Sequence, residues 1–118
     1  MSGPAAPAIL LGSREFGGAE APFFTLAIPQ YKRRQFLEVN LEHAFAQDSR
    51  DFEILVTDDC SPDDSNEVIP GLLERSGRPF RYYAQHRNLG YDGNVRFCLN
   101  NACGKYVVRT APDKNIVN

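Results

Sequence analysis

Three short apolar runs alternate along this chain with stretches whose apolar residues recur every three or four positions, and that alternation constrains the fold more than any other feature. The runs are Phe23-Phe24-Thr25-Leu26-Ala27-Ile28, Phe52-Glu53-Ile54-Leu55-Val56-Thr57 and Phe80-Arg81-Tyr82-Tyr83-Ala84. Nearly unbroken and rich in β-branched and aromatic side chains, they suit strands covered on both faces. Pro29 is expected to end the first. Leu37, Leu41, Ala44, Phe45 and then Asp48 follow at helical spacing, which predicts a helix from about Arg33 to Asp48. A second helix is expected from Ser61 as N-cap, with Pro62 at the first helical position and Asp64 completing an acidic capping box. Val68, Ile69, Leu72 and Leu73 supply its apolar face, Pro70 should kink or delay it, and Gly77 ends it. Val95, Cys98, Leu99 and Ala102 mark a third helix, capped near Asp92 or Gly93 and stopped by Gly104. Tyr106-Val107-Val108 makes a fourth strand. The order βαβαβαβ predicts an α/β fold, a mostly parallel sheet with right-handed crossover helices on both sides.

Composition narrows the class. The 118 residues make one domain. Met1 to Pro22 mixes Gly, Ala, Pro and Ser with scattered charge and is expected to stay mobile, leaving residues 23–118 as the folded unit. A net charge of −2 argues against nucleic acid as a partner, because a phosphate-backbone binder carries a clustered basic excess. No apolar run nears the roughly 20 residues needed to cross a bilayer, and Ala8 to Leu11 is too short for a signal peptide, so a cytoplasmic location is expected. Cys60, Cys98 and Cys103 lack CxxC spacing and read as free thiols in a reducing compartment. His43 and His86 have no metal-ligand spacing around them. Glycine-rich dinucleotide, P-loop and nucleophile-elbow motifs are absent, which removes the oxidoreductase, NTPase and α/β-hydrolase readings.

Open α/β sheets bind ligands outside the carboxyl ends of their strands. Those ends carry Pro29-Gln30-Tyr31, Asp58-Asp59, the loop Gln85 to Asn94 and the tail after the fourth strand. Asp58 and Asp59 can read a hydrogen-bond donor, hold a divalent cation or cap the next helix. Side chains alternate along a strand, so one of the pair should serve a ligand and the other the structure. Tyr31 followed by Lys32-Arg33-Arg34 sets an aromatic face and three cations at a helix start, suited either to a phosphate or to a solvated turn. Asn88-Leu89-Gly90 and Gly93-Asn94 can approach a ligand with backbone amides or form a plain turn.

In order along the chain, Ile28-Pro29-Gln30-Tyr31-Lys32-Arg33, Asp51-Phe52-Glu53-Ile54-Leu55-Val56-Thr57-Asp58-Asp59-Cys60-Ser61-Pro62-Asp63, Asn88-Leu89-Gly90 and Gly104-Lys105-Tyr106-Val107 resemble glycosyltransferase family 2. The resemblance covers roughly Phe23 to Val108. It implies a three-layer, Rossmann-like GT-A fold whose first half binds a nucleotide-diphosphate sugar, UDP- or dTDP-linked, for inverting transfer to an acceptor hydroxyl. It places Pro29 and Tyr31 against the nucleobase and gives Asp59, with Asp58 as the second choice, a hydrogen bond from a uracil-like base. Arg33 joins the nucleotide-binding set, and Asn88, Gly90 and Asn94 face the nucleotide and its phosphates. The resemblance also implies Mg²⁺ or Mn²⁺ on an acidic D-x-D, but here Pro112-Asp113-Lys114 keeps one carboxylate with a cation beside it, which opposes metal binding. The chain is expected to be truncated before the acceptor half and the catalytic base, to be inactive alone, and to self-associate or need a partner over its open sheet. A location at the cytoplasmic face of a membrane also fits. The alternative is a nucleotide-sugar-binding module without catalysis; a receiver-like phospho-acceptor domain fits less well.

Overall fold

The computed structural model describes residues 8–17, 22–49 and 51–109. Along the chain the elements are β1 (Ile9–Arg14), β2 (Phe24–Gln30), α1 (Arg34–Phe45), β3 (Phe52–Asp58), α2 (Ser65–Ser76), β4 (Phe80–Ala84), α3 (Tyr91–Asn101) and β5 (Tyr106–Arg109). They build one five-stranded sheet in the order β1-β4-β3-β2-β5. β2 to β5 run parallel, and β1 lies antiparallel to β4. The α/β expectation holds.

Burial follows the apolar runs. β3, at the centre, is buried at every residue. One side of the sheet packs Ile28, Ile54, Val56 and Tyr82 against Leu37 and Leu41 of α1 and Ile69 and Leu73 of α2. Each of those helix residues is fully buried, worth about 1.5–3 kcal/mol apiece. Ala27 and Leu55 face the other side, under Cys98 of α3. Burial pushes the Cys98 thiol up to about 11, so it acts as a small apolar side chain. Cys60 and Cys103 are exposed free thiols.

Two polar groups inside the apolar runs tie the layers together. Glu53 is 5% exposed and receives hydrogen bonds from Thr25 Oγ1 at 2.7 Å, Arg81 at 2.9 Å and the Cys103 N–H at 3.1 Å. Arg81 also donates to the Asn101 carbonyl at 2.6 Å, fastening the end of α3 to β4. Arg78 is buried on the Phe52 ring and donates to the carbonyls of Phe45, Gln47 and Ser49, which pins the turn between α1 and β3.

Several local expectations are corrected. The segment 1–22 was expected to be mobile, yet Ile9–Arg14 forms β1 and Pro22 is buried. An edge strand needs only one neighbour, so a short run suffices: Ile9, Gly12, Ser13 and Arg14 register against β4, with an irregularity between Leu10 and Gly12. Arg14 also pairs with Glu74 of α2. Pro29 does not end its strand; it sits opposite Thr57, and β2 runs on to Gln30. α2 begins at Ser65, because Ser61 bonds to the strand-end Asp58 instead of capping the helix. Pro70 lies inside α2. Gly90, earlier than expected, precedes the first residue of α3, Tyr91.

Candidate functional site

Three strand ends converge where the ligand rule places a site. The Asp59 N–H donates to the Gln30 carbonyl at 3.0 Å, and the Gln85 N–H donates to the Asp58 carbonyl at 2.8 Å, so the ends of β2, β3 and β4 are stitched together. Beyond Asp59 the chain turns sharply at Cys60, whose φ of 61° lies in the left-handed region.

Asp58 and Asp59 point to different loops, as alternation along a strand requires. Asp58 is fully buried and accepts from the Ser61 hydroxyl at 2.6 Å, the Ser61 N–H at 2.8 Å and the Gln30 side-chain amide. Asp59 is 3% exposed; Oδ1 accepts the Leu89 N–H at 2.7 Å and Oδ2 the Gly90 N–H at 3.0 Å. Asn88 closes that loop, donating to the Asp59 carbonyl at 3.2 Å and accepting from the Gly90 N–H at 3.0 Å. Gly90 has a φ of 85°, which a glycine adopts without steric penalty. Asn94 is buried, and its amide bonds inward to the Thr57 carbonyl and Gln85.

Tyr31, next in sequence to Gln30, is 41% exposed, with Lys32 Nζ 5.6 Å from its ring centroid. Pro29, two residues earlier in the chain, is buried. The Arg33 guanidinium lies over Phe36, 5.7 Å from the ring centroid. Of the three cations in the turn, Arg34 is paired with Glu38 and Asp64. Among the described residues Lys32 and Arg33 have no carboxylate at ion-pair distance. A cavity of about 240 Å³ opens at the turn, lined by Lys32, Arg33, Phe36, Asp63 and Asp64 among others. A hollow of about 300 Å³, lined by Phe24, Leu26 and His43 among others, lies toward the opposite end of β2.

Site residues Pro29, Tyr31, Arg33, Asp58, Asp59, Asn88, Gly90 and Asn94 all fall at this end of the sheet, although Asn94 faces inward. Gln30 and Ser61 are central to the geometry and were not among the predicted site residues. Ser61 had the signature of a helix cap, which hid its bond to Asp58. Tyr91 and Arg109 meet across the starts of α3 and the end of β5, the guanidinium donating to the phenol oxygen. Among the described residues no group of three or more His, Cys, Asp or Glu converges as a metal cage, and the carboxylate oxygens of Asp58 and Asp59 are turned to amides and a hydroxyl. Asp113, the one carboxylate left at the D-x-D position, lies outside the described residues.

Burial raises the carboxyl groups of both Asp58 and Asp59 above the usual value of 3.8, and their hydrogen bonds offset only part of that rise. An acid raised on folding binds its proton more tightly in the native state. It therefore disfavours the fold once pH exceeds its native value, and that penalty fades as pH falls toward 3.8. Relative to an Asp58→Asn, Asp59→Asn double variant, the wild-type chain should gain stability as pH falls from about 7 to about 4. Urea unfolding at the two pH values measures this; a wild-type advantage that shrinks on acidification contradicts it.

A family model for Glycosyl transferase family 2 matches residues 25–113, most of the chain and all four parallel strands. The chain belongs to glycosyltransferase family 2. It is 29% identical over 97 residues to a GalNAc(5)-diNAcBac-PP-undecaprenol beta-1,3-glucosyltransferase of Campylobacter jejuni, covering 82% of this chain and 31% of that protein. It is 33% identical over 94 residues to an undecaprenyl-phosphate 4-deoxy-4-formamido-L-arabinose transferase of Pseudomonas savastanoi, covering 77% of this chain and 28% of that protein. In fold it matches a mannosyltransferase of Pyrobaculum calidifontis, solved with GDP-Man and Mn²⁺, at a TM-score of 0.70 and 23% identity. That match covers 85% of this chain and 31% of the mannosyltransferase. The family 2 chain thus spans just under a third of the length of these relatives. β1 precedes the matched region, and no described helix is long and apolar enough to cross a membrane.

Proposed function

We propose that this family 2 domain binds the nucleotide-diphosphate-sugar donor, UDP-linked in the first instance, at the joined ends of β2, β3 and β4. The observation that carries the reading is the buried acid Asp59, whose partner loop ends in a glycine and whose N–H donates at 3.0 Å to the carbonyl of Gln30, the residue just before the exposed aromatic Tyr31. Tyr31 stacks on the base, a contact worth about 1–3 kcal/mol and tolerant of base identity. Each Asp59 oxygen engages one amide and keeps a second lone pair, which can accept a base N–H. Selectivity for a ring bearing a donor follows, because a base presenting only an acceptor there faces a buried carboxylate. Arg33, with no carboxylate at ion-pair distance among the described residues, supplies charge for the diphosphate.

The acceptor is proposed to be lipid-linked, since the two curated relatives are named for undecaprenyl carriers. Transfer with inversion would be an in-line displacement in which a base takes the acceptor proton as the nucleoside diphosphate leaves. Mg²⁺ or Mn²⁺ would neutralise the leaving diphosphate in such chemistry. Pro112-Asp113-Lys114 keeps a single carboxylate with a cation next to it in sequence, so the donor contacts are assigned to the protein's own groups. Titration calorimetry should therefore give a UDP dissociation constant of roughly 10–100 μM, equal with and without Mn²⁺. No heat with either UDP or GDP, under conditions where the chain melts cooperatively, would refute the donor reading.

A further inference from the structure

We infer that Gln30, Asp58 and Ser61 form a buried positioning device that fixes the turn carrying Tyr31 and Arg33, and thereby sets the grip on a nucleoside diphosphate. The inference rests on the donor reading, and it concerns side chains lying behind the ligand instead of against it.

A carboxylate can only accept hydrogen bonds. Asp58 Oδ1 receives both the Ser61 hydroxyl proton and the Gln30 Nε2. Each bond aims a second group. With its donor end drawn to Asp58, the Gln30 amide turns its oxygen outward, where it accepts the Arg33 N–H at 3.2 Å. With its proton drawn to the same carboxylate, the Ser61 hydroxyl offers its oxygen to the Lys32 N–H at 2.9 Å. A hydroxyl polarised in this way is a stronger acceptor. One buried acid thus holds two successive amides of the turn through two intermediaries.

The backbone needs that hold. Lys32 has a φ of 57°, in the left-handed region. Such a conformation costs a residue with a Cβ roughly 1–2 kcal/mol and persists only where its surroundings enforce it. Released, Lys32 would return to an ordinary conformation, rotating the flanking peptides and swinging Tyr31 and Arg33 off the cleft. The trio also explains why this buried carboxylate turns both oxygens to protein donors, Oδ1 to the Ser61 hydroxyl and the Gln30 amide and Oδ2 to the Ser61 N–H.

The test is Ser61→Ala in the full chain, alone and in a Lys32→Gly background, with Ser61→Thr as the conservative rescue. Glycine adopts the left-handed conformation unaided, so Lys32→Gly removes the need for enforcement. Ser61→Ala should speed exchange of the Lys32 amide at least about tenfold and weaken UDP about tenfold, while Ser61→Thr restores both. In the Lys32→Gly background the same change should weaken UDP only about twofold, a coupling that general destabilisation does not produce. Unchanged Lys32 protection in Ser61→Ala, or an equal loss of affinity in both backgrounds, overturns the inference. If Ser61→Ala does not fold, Gln30→Met gives the corresponding comparison at the Arg33 amide. Failure of the unmutated chain to bind UDP or GDP refutes the donor reading instead, and the exchange rates at Lys32 and Arg33 still decide whether the trio sets the turn.

Discussion

Asp59→Asn should lower UDP affinity about 100-fold, the largest binding effect expected of any single change in this domain. Two losses combine. Both Asp59 oxygens accept backbone N–H groups, from Leu89 and Gly90. An Asn side chain must direct its NH₂ at one of those donors, so one amide loses its acceptor and the loop moves away from the end of β3. A hydrogen bond to a charged acceptor is worth about 1.5–3 kcal/mol, and the base loses its acidic partner as well. Calorimetry on Asp59→Asn beside the wild-type chain measures the effect, with thermal melting to show that the variant is folded. Affinity within about threefold of wild type would mean that Asp59 serves the loop alone and that the base is read elsewhere.

Gly104→Ala should be the most damaging methyl group that can be added to this chain. A Cβ at Gly104 would stand 2.5 Å from both the Phe24 carbonyl carbon and the Thr25 nitrogen, and 2.7 Å from Phe24 Cα. Those are backbone atoms of β2, which cannot move without disturbing the centre of the sheet. The Gly104 N–H also donates to Thr25 Oγ1 at 2.8 Å, and the next two amides bond to Pro22 and Phe23. Forcing this junction apart should release β5 from β2 and separate Tyr106 from the Phe23 ring, now 5.2 Å away centre to centre. The expected loss is about 3 kcal/mol, or a fall in Tm of about 10 °C or more. Gly71→Ala is the internal contrast: its Cβ would meet only the mobile end of Arg75, at 3.3 Å, within α2. That change should be neutral or stabilising by up to about 1 kcal/mol. Similar melting of the two variants would show that the close approach at Gly104 is relieved by local adjustment.

Much of the parallel sheet was legible because strand and helix periods are local properties. Phe24 to Ile28, Phe52 to Thr57 and Phe80 to Ala84 declare themselves by composition, and the helices between them by apolar spacing. What misled were residues whose local habit gave way to a different partner in the fold. Ser61-Pro62 has the composition of a helix start, yet the Ser61 hydroxyl bonds to Asp58 and α2 begins at Ser65. Ile9 to Arg14 has too little apolar content to cover a core, but an edge strand has only one neighbour to satisfy, and β4 supplied it. Glu53 and Arg81 interrupt apolar runs and were legible only as exceptions until the network through Thr25, Cys103 and Asn101 was seen.

By itself the sequence determined the α/β class, the parallel strands and the family, since each depends on residue order and period. The tertiary structure alone decided which oxygen of each strand-end acid meets which amide. It showed Asp58 turned to the Tyr31–Arg33 turn, Asp59 to the Leu89–Gly90 loop and Gly104 against the backbone of β2. The reason is physical: period fixes which face a side chain takes, whereas the bonds of Asp59 to its loop and of Gly104 to Thr25 are specified by angstroms between groups some 30 residues or more apart, a relation that no local pattern encodes.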